Sequence, residues 1–340
     1  MINTTQLLFL ITLSSGTLIT MSATSWFSAW MGLEINLLSF IPLMTNSKNP
    51  RTTEATLKYF LIQALASIIF LFTTTLIQLH NTLPILTSYP LNLLIISTLL
   101  MKMGAAPFHF WFPETMEGLD WFNCLIIMTW QKIAPLILLS YLMKMNLFIS
   151  MTIIASVMIG SLGGLNQTSL RKLLAYSSIN HLGWMIAAMS CMNNSWELYF
   201  MIYSFLSLLL TTMFSTFNIF HINQNFLTLN NSQSFKMILF INLLSLGGLP
   251  PFLGFLPKWI TIQILITNNH LFMCTIMVTM SLITLFYYIR LTFSSLLINA
   301  PLMQWISMST NNNLIMTTLT IMTSLSILGL SLSMITFNIL

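Results

Sequence analysis

The chain has 340 residues, of which 56% are hydrophobic and only 5% charged, with a formal net charge of +5. Ordinary soluble domains carry about 25% charged residues, so this composition cannot cover a water-facing surface and excludes a water-soluble enzyme. The positive charge forms no basic cluster, which excludes nucleic acid as a partner and leaves the lipid bilayer.

Apolar stretches of about 20 residues, each long enough to cross a bilayer, recur along nearly the whole chain. They predict an all-α, polytopic membrane protein with about 11 transmembrane helices. The expected spans are 7–24, 26–45, 56–78, 90–118, 121–142, 147–165, 169–192, 195–221, 235–266, 271–298 and 314–338. The first is apolar by Leu7, and no small-residue cleavage site precedes the next, so it reads as a mature span rather than a signal or transit peptide. The second carries Glu34, eight residues in, and is followed by the polar connection "NSKNPRTTE" (46–54).

The fourth span carries Lys102 and then "GAAPFHFWFPE" (104–114), where Gly and Pro break the helix and His109 lies inside the break. Glu114, Glu117 and Asp120 follow on the inner side, as a solvated loop or as a funnel for protons. The fifth, "MTWQKIAPLILL", holds Lys132 centrally, with Pro135 three residues on. In the sixth, Gly160 and Gly164 form a GxxxG helix-packing site. Arg171 and Lys172 open the seventh as topology anchors, and "SSINHLGWM" sets His181 inside it, either packed or passing protons between neighbours. The polar connection 221–234 precedes the ninth span, which is broken by "GLPPFLGFLPK" (248–258), ending in Lys258. Arg290, late in the tenth, either snorkels to the headgroups or extends a relay. A last connection, 299–313, leads to the final span.

The two breaks repeat one another. Gly104, Pro107, Phe108 and Pro113 recur at the same offsets as Gly248, Pro251, Phe252 and Pro257. The broken spans are five apart and cross in opposite directions, which predicts two inverted five-helix repeats, 7–142 and 147–298. A C-terminal connection and last helix follow at 299–340. All of 1–340 then forms one transmembrane domain, in which 90–142 superposes on 235–298 after a half-turn about an in-plane axis. Broken helices in such transporters line the ion site, because exposed backbone is tolerated only around a cavity. The plain alternative is a chance recurrence of Gly and Pro. Lys48, Arg51, Lys58, Arg171, Lys172 and Lys236 fall on the side of the N-terminus and only Lys144 clearly on the other. The positive-inside rule therefore places the N-terminus inside and the C-terminus outside.

Glu34, Lys102, Lys132 and Lys258 are ionisable residues in strongly apolar surroundings, each costing roughly 2.5–3.5 kcal/mol at the bilayer centre on insertion scales. Snorkelling suits Lys102 and Lys258 best, since each could lie near a span end. It suits Glu34 and Lys132 poorly. Burial disfavours the charged form, and a nearby Glu–Lys pair holds both charges, so separating the pair frees a lysine to give up its proton. A switchable proton relay follows from this set; sodium would need several oxygen ligands, and Glu34 is the only mid-membrane carboxylate. Cys124, Cys191 and Cys274 lie far apart in apolar runs and read as buried, inert thiols. No metal-ligand spacing, nucleophile elbow or dinucleotide fingerprint is present.

"WMGLEINLLSFIPL", "KYFLIQALAS", "KMGAAPFHFWFPE", "WQKIAP", "GGLNQTSLRKLLAYSSINHLGWM" and "LSLGGLPPFLGFLPKW" resemble the antiporter-like membrane subunits of respiratory complex I, specifically the mitochondrial NADH–ubiquinone oxidoreductase chain 2 family. The resemblance runs from about Trp26 to Trp259. It implies a proton-translocating core subunit of NADH:ubiquinone reductase that does no redox chemistry itself. Glu34 and Lys102 match the family's paired site, Lys132 its bridging lysine, and Lys258 the lysine of the second broken helix near the exit. The first three of fourteen family helices are missing, as in animal versions, which leaves eleven. NADH, flavin, iron–sulfur clusters and ubiquinone would belong to other subunits, leaving no cofactor or metal in this chain. The implied partners are other membrane-arm subunits, including neighbouring antiporter-like ones. The location is the mitochondrial inner membrane, with the N-terminus in the matrix and the C-terminus in the intermembrane space; the 26 methionines fit a mitochondrially encoded gene. The competing readings are a stand-alone cation/proton antiporter, which would exchange ions when purified alone, and a structural membrane subunit with vestigial charges.

Overall fold

The computed structural model describes residues 4–46, 49–82, 88–191, 194–222, 224, 233–297 and 317–329. Lys48, the 299–313 connection, most of 221–234 and residues 330–338 of the last expected span lie outside the described residues, as does the side chain of Lys236. The helices are α1 (Thr4–Met21), α2 (Trp26–Met44), α3 (Pro50–Thr82), α4 (Ser88–Met103), α5 (Trp111–Gly118), α6 (Trp121–Met128), α7 (Trp130–Ser140), α8 (Leu147–Gly163), α9 (Leu170–Ser190), α10 (Ser195–Thr216), α11 (Gln233–Gly247), α12 (Phe255–Thr267) and α13 (Leu271–Leu297). A further helix, α14, covers Thr317–Gly329. Among the described residues the one extended pairing outside named strands is an isolated bridge, Ser169 with His221. Over the described residues, the expected apolar spans fall on one helix or on a broken pair. Among the described residues, six segments are long and apolar enough to cross a membrane: Thr4–Met21, Trp26–Met44, Pro50–Leu79, Trp121–Ser140, Ser195–Thr216 and Leu271–Phe293.

The chain divides into two compact units, Met1–Lys144 and Met145–Leu340. In the first, α2 starts at a reciprocal cap in which Ser25 and Ser28 satisfy each other's backbone amides. It packs closely on α1 because both helices carry glycine at the crossing. A Cβ on Gly32 would stand 2.6 Å from Thr20 Cγ2 and 2.9 Å from the Gly16 carbonyl oxygen. This close approach fixes the helix that carries Glu34. Gly32→Leu therefore forces α1 and α2 apart, at a cost of about 1–3 kcal/mol for overpacking. It should lower the melting temperature of the chain, and a wild-type value would refute the crossing as the anchor of α2.

In the second unit, α9 lies at the centre. Every residue from Ser177 to Ser190 is buried, although the helix carries Ser177, Ser178, Asn180 and His181. Such a helix is stable only when neighbours surround it. On one side α8 comes close through Gly160, where a Cβ would stand 2.6 Å from the Asn180 amide nitrogen, and through Gly163, which faces the Tyr176 ring. Gly164 packs on Tyr287 of α13. The GxxxG pair is thus a packing site, shared between two partner helices.

Both expected breaks are present. Between α4 and α5, Gly104 takes φ +73°, and between α11 and α12, Gly248 takes φ +82°. Left-handed backbone of this kind favours glycine, which explains why the repeat retains it. A third interruption, at Thr129, was not expected, since the 121–142 span reads as one helix. Thr129 departs from helical geometry (φ −115°, ψ −72°), and its hydroxyl donates to the Leu125 carbonyl at 2.7 Å. Back-bonding of this sort bends helices, and Pro135 further on has no amide to give. Two other expectations are refined. Cys191 is half-buried, while Cys124 and Cys274 are buried as expected. Arg290 is exposed and donates to the Leu165 carbonyl at 2.7 Å, just beyond the end of α8.

Candidate functional site

In the first unit, four elements position the ionisable residues. Glu34 sits mid-way along α2 and is half-buried; its Oε1 is shielded from solvent and has no hydrogen-bond partner. Lys102 occupies the last turn of α4 and is 7% exposed, with its backbone carbonyl accepting from the Gln63 amide at 3.3 Å. A cation in the last turn also meets the negative end of the helix dipole. Glu34 acts on Lys102 electrostatically, but among the described residues the ion pairs within contact distance are those of Lys58. The carboxylate and ammonium therefore share a field without touching.

Lys132 lies in the first turn of α7, just past the Thr129 bend, and is 1% exposed. Its ammonium stands 5.1 Å from the centre of the Phe112 ring on α5, within range of a cation–π contact. One residue earlier, the Gln131 amide donates to Asn36 Oδ1 at 3.0 Å. That bond joins α7 to α2, from the residue before Lys132 to the one two after Glu34. His109 lies in the first break, with Nδ1 3.3 Å from the Pro107 carbonyl and its ring against Phe110. The first break is also tied by Trp111, whose indole N–H donates to the Met101 carbonyl at 3.2 Å.

In the second unit, Lys258 of α12 is 5% exposed. It does not snorkel out of the protein; its ammonium donates to the Gly247 carbonyl at 2.8 Å. Gly247 ends α11, so that carbonyl has no partner in its own helix, and the helix dipole favours a cation there. A Cβ on Gly248 would stand 3.0 Å from the Lys258 ammonium, so glycine at the break also makes room for the lysine. The indole ring of Trp184 lies 6.0 Å from the same ammonium. One turn earlier on α9, His181 Nδ1 and the Tyr199 hydroxyl are 2.9 Å apart, and the Tyr203 ring lies 5.0 Å from the imidazole.

The structure thus gathers Glu34, Lys102, Lys132 and His109 in the first unit and His181 and Lys258 in the second. Of the acidic residues after the first break, Glu114 and Glu117 lie on helix α5 rather than in the expected loop, and Glu114 and Asp120 are exposed while Glu117 is half-buried. Glu114 is exposed and pairs with Lys58 at 2.9 Å, as does Glu54, a kind of surface bridge worth about 0–1 kcal/mol. Arg171 lies over the Phe220 ring. Among the described residues no group of three or more His, Cys, Asp or Glu is placed to hold a metal ion.

Comparison with known proteins decides what this arrangement belongs to. Residues 23–284 match the family model described as NADH:quinone oxidoreductase/Mrp antiporter, transmembrane. The chain is 56% identical over 311 residues to NADH-ubiquinone oxidoreductase chain 2 of Anopheles gambiae, covering 90% of each. The chain belongs to the NADH-ubiquinone oxidoreductase chain 2 family. It is also 46% identical over 328 residues to the chain 2 protein of Locusta migratoria, covering 96% of each. The fold of this chain 2 family member resembles a chain of respiratory complex I from Thermus thermophilus, with TM-score 0.83 and 23% identity over 96% of this chain and 79% of that one. A chain of the Mrp complex from Dietzia gives TM-score 0.75 at 16% identity, covering 83% and 59%.

Sequence reasoning about the chain 2 fold missed Asn36 and Gln131, which bond each other beside Glu34 and Lys132 in the chain, and Tyr199, which bonds His181. Each stands as a polar group in an apolar span, a signal that was present. The pairing partners were not, because they lie 95 and 18 residues apart in the chain.

Proposed function

We propose that this chain, a multi-pass subunit of respiratory complex I in the mitochondrial inner membrane, moves protons through a relay of Glu34, Lys102, Lys132 and Lys258, with His109 and His181 as lesser members. The observation that carries the reading is Lys258: an ammonium buried to 5% exposure, held on the open carbonyl of a broken helix. A buried lysine is expensive unless its charge is used. A carbonyl dock that holds the protonated form and releases the neutral one gives the proton a defined station. Lys102, at the end of the other broken helix, and Lys132, beside a bent one, are likewise buried at interruptions of a helix.

Eleven helices cross the membrane in this reading, arranged as two inverted repeats around the two breaks, with the N-terminus in the matrix and the C-terminus in the intermembrane space. NADH oxidation, flavin and iron–sulfur electron transfer and ubiquinone reduction take place in partner subunits. This chain adjoins other antiporter-like subunits of the membrane arm and supplies the proton step.

Replacing Lys258 with Met keeps the apolar stem and removes the charge. The intact complex carrying Lys258→Met should still reduce ubiquinone but move fewer protons per electron into liposomes. An unchanged proton yield would reject the relay and leave a structural subunit with vestigial charges. Ion exchange by the purified chain alone would instead favour a self-contained antiporter.

A further inference from the structure

The two breaks are held together differently. The first is tied from within, by the indole of Trp111 on the Met101 carbonyl. At the offset of Trp111, the second break has Phe255, which has no side-chain donor. Its tie comes from α14, a helix outside both repeats. The Leu253 amide, in the break, donates to the Ser326 carbonyl at 3.1 Å. The Ser326 hydroxyl lies 3.2 Å from the side-chain amide of Asn242, on the α11 limb of the break. Both side chains are fully buried. The same hydroxyl also bonds the Thr323 carbonyl at 2.8 Å, so its single proton is contested. Asn242 Nδ2 has no other partner, and an amide turned to donate to Ser326 satisfies both groups, an assignment the bonding network decides. Gly329, one turn on, lets the helix approach: a Cβ there would collide with Leu253 Cδ1.

We propose that Ser326 is a positioning residue for Lys258, tying both limbs of the second break to α14 and so holding the Gly247 carbonyl where the ammonium binds. The geometry gives it this reach. Asn242 precedes Gly247 on the same helix, and Leu253 precedes Gly254, whose Cα packs directly on the Ser245 carbonyl. Ser326 therefore grips the break on either side of the carbonyl that receives Lys258. This inference rests on the relay reading above and extends it to a helix that neither the repeat nor any charged residue pointed to.

The test compares Ser326→Ala, Asn242→Leu, their double mutant, Ser326→Thr and Lys258→Met in the intact complex, reading protons moved per electron and amide exchange across 248–254. Loss of one buried hydrogen bond should speed exchange there about fivefold and leave 104–110 unchanged. The proton yield should fall in Ser326→Ala and in Asn242→Leu. The double mutant should be no worse than either, since both changes remove one bond, and Ser326→Thr, which keeps the hydroxyl, should restore the yield. A normal yield in Ser326→Ala beside a lost one in Lys258→Met would overturn the positioning role and leave the relay standing. Normal yields in both would reject the relay itself. Less assembled complex with an unchanged yield per electron would reduce Ser326 to a packing residue and also overturn the proposal.

Discussion

Glu34→Gln should leave NADH oxidation by the soluble arm intact, measured with a soluble electron acceptor, while proton pumping by the assembled complex falls. The carboxylate is half-buried, its Oε1 shielded and without a hydrogen-bond partner, and it acts across a gap on Lys102, which is 7% exposed. Neutralising Glu34 leaves Lys102 in apolar surroundings with no opposing charge. Breaking a buried ion pair by removing one partner costs roughly 3–5 kcal/mol when the two touch, and less here, where no contact exists. The double mutant Glu34→Gln with Lys102→Met removes both charges. It should assemble at least as well as either single change and still fail to pump through this subunit. A Glu34→Gln complex that pumps like wild type would make the pair structural.

Lys132→Met is the second large effect, and stability and activity should separate in it. Lys132 is 1% exposed, and its ammonium rests 5.1 Å from the Phe112 ring. Methionine keeps a flexible apolar stem of similar reach and removes the cost of burying a charge. The complex should therefore melt at the same temperature or higher while its proton pumping collapses. Gln131 and Asn36, bonded at 3.0 Å, remain to hold α7 on α2, so a loss of pumping would not reflect a collapsed site. Normal pumping would remove Lys132 from the path.

Much of this fold was legible because a membrane helix announces itself locally. Apolar runs gave the helices, and Gly and Pro at repeated offsets gave both breaks; the left-handed φ at Gly104 and Gly248 is the physical reason for one of those four identities. The charged residues stood out against apolar neighbours, and Lys58, Lys102 and Lys258 each turned out to have a definite setting. What stayed hidden was pairwise. Gly16 and Gly32 look unremarkable until α1 and α2 are crossed. The bend at Thr129 depends on a hydroxyl that competes for one carbonyl, and threonine is common in helices that do not bend. Ser326 and Asn242 are 84 residues apart, and no periodicity links them. Lys258 appeared free to snorkel from its place near a span end, whereas the carbonyl that holds it comes from the preceding half-helix.

The most direct measurement counts protons moved per electron pair by the intact complex in sealed liposomes, wild type against Lys132→Met, at matched rates of NADH oxidation. Matching the rates removes any effect on electron transfer, so the difference between the two ratios reports the change made at Lys132. A relay through Lys132 predicts a lower ratio at unchanged assembly. An identical ratio in the two complexes would contradict proton movement through this chain.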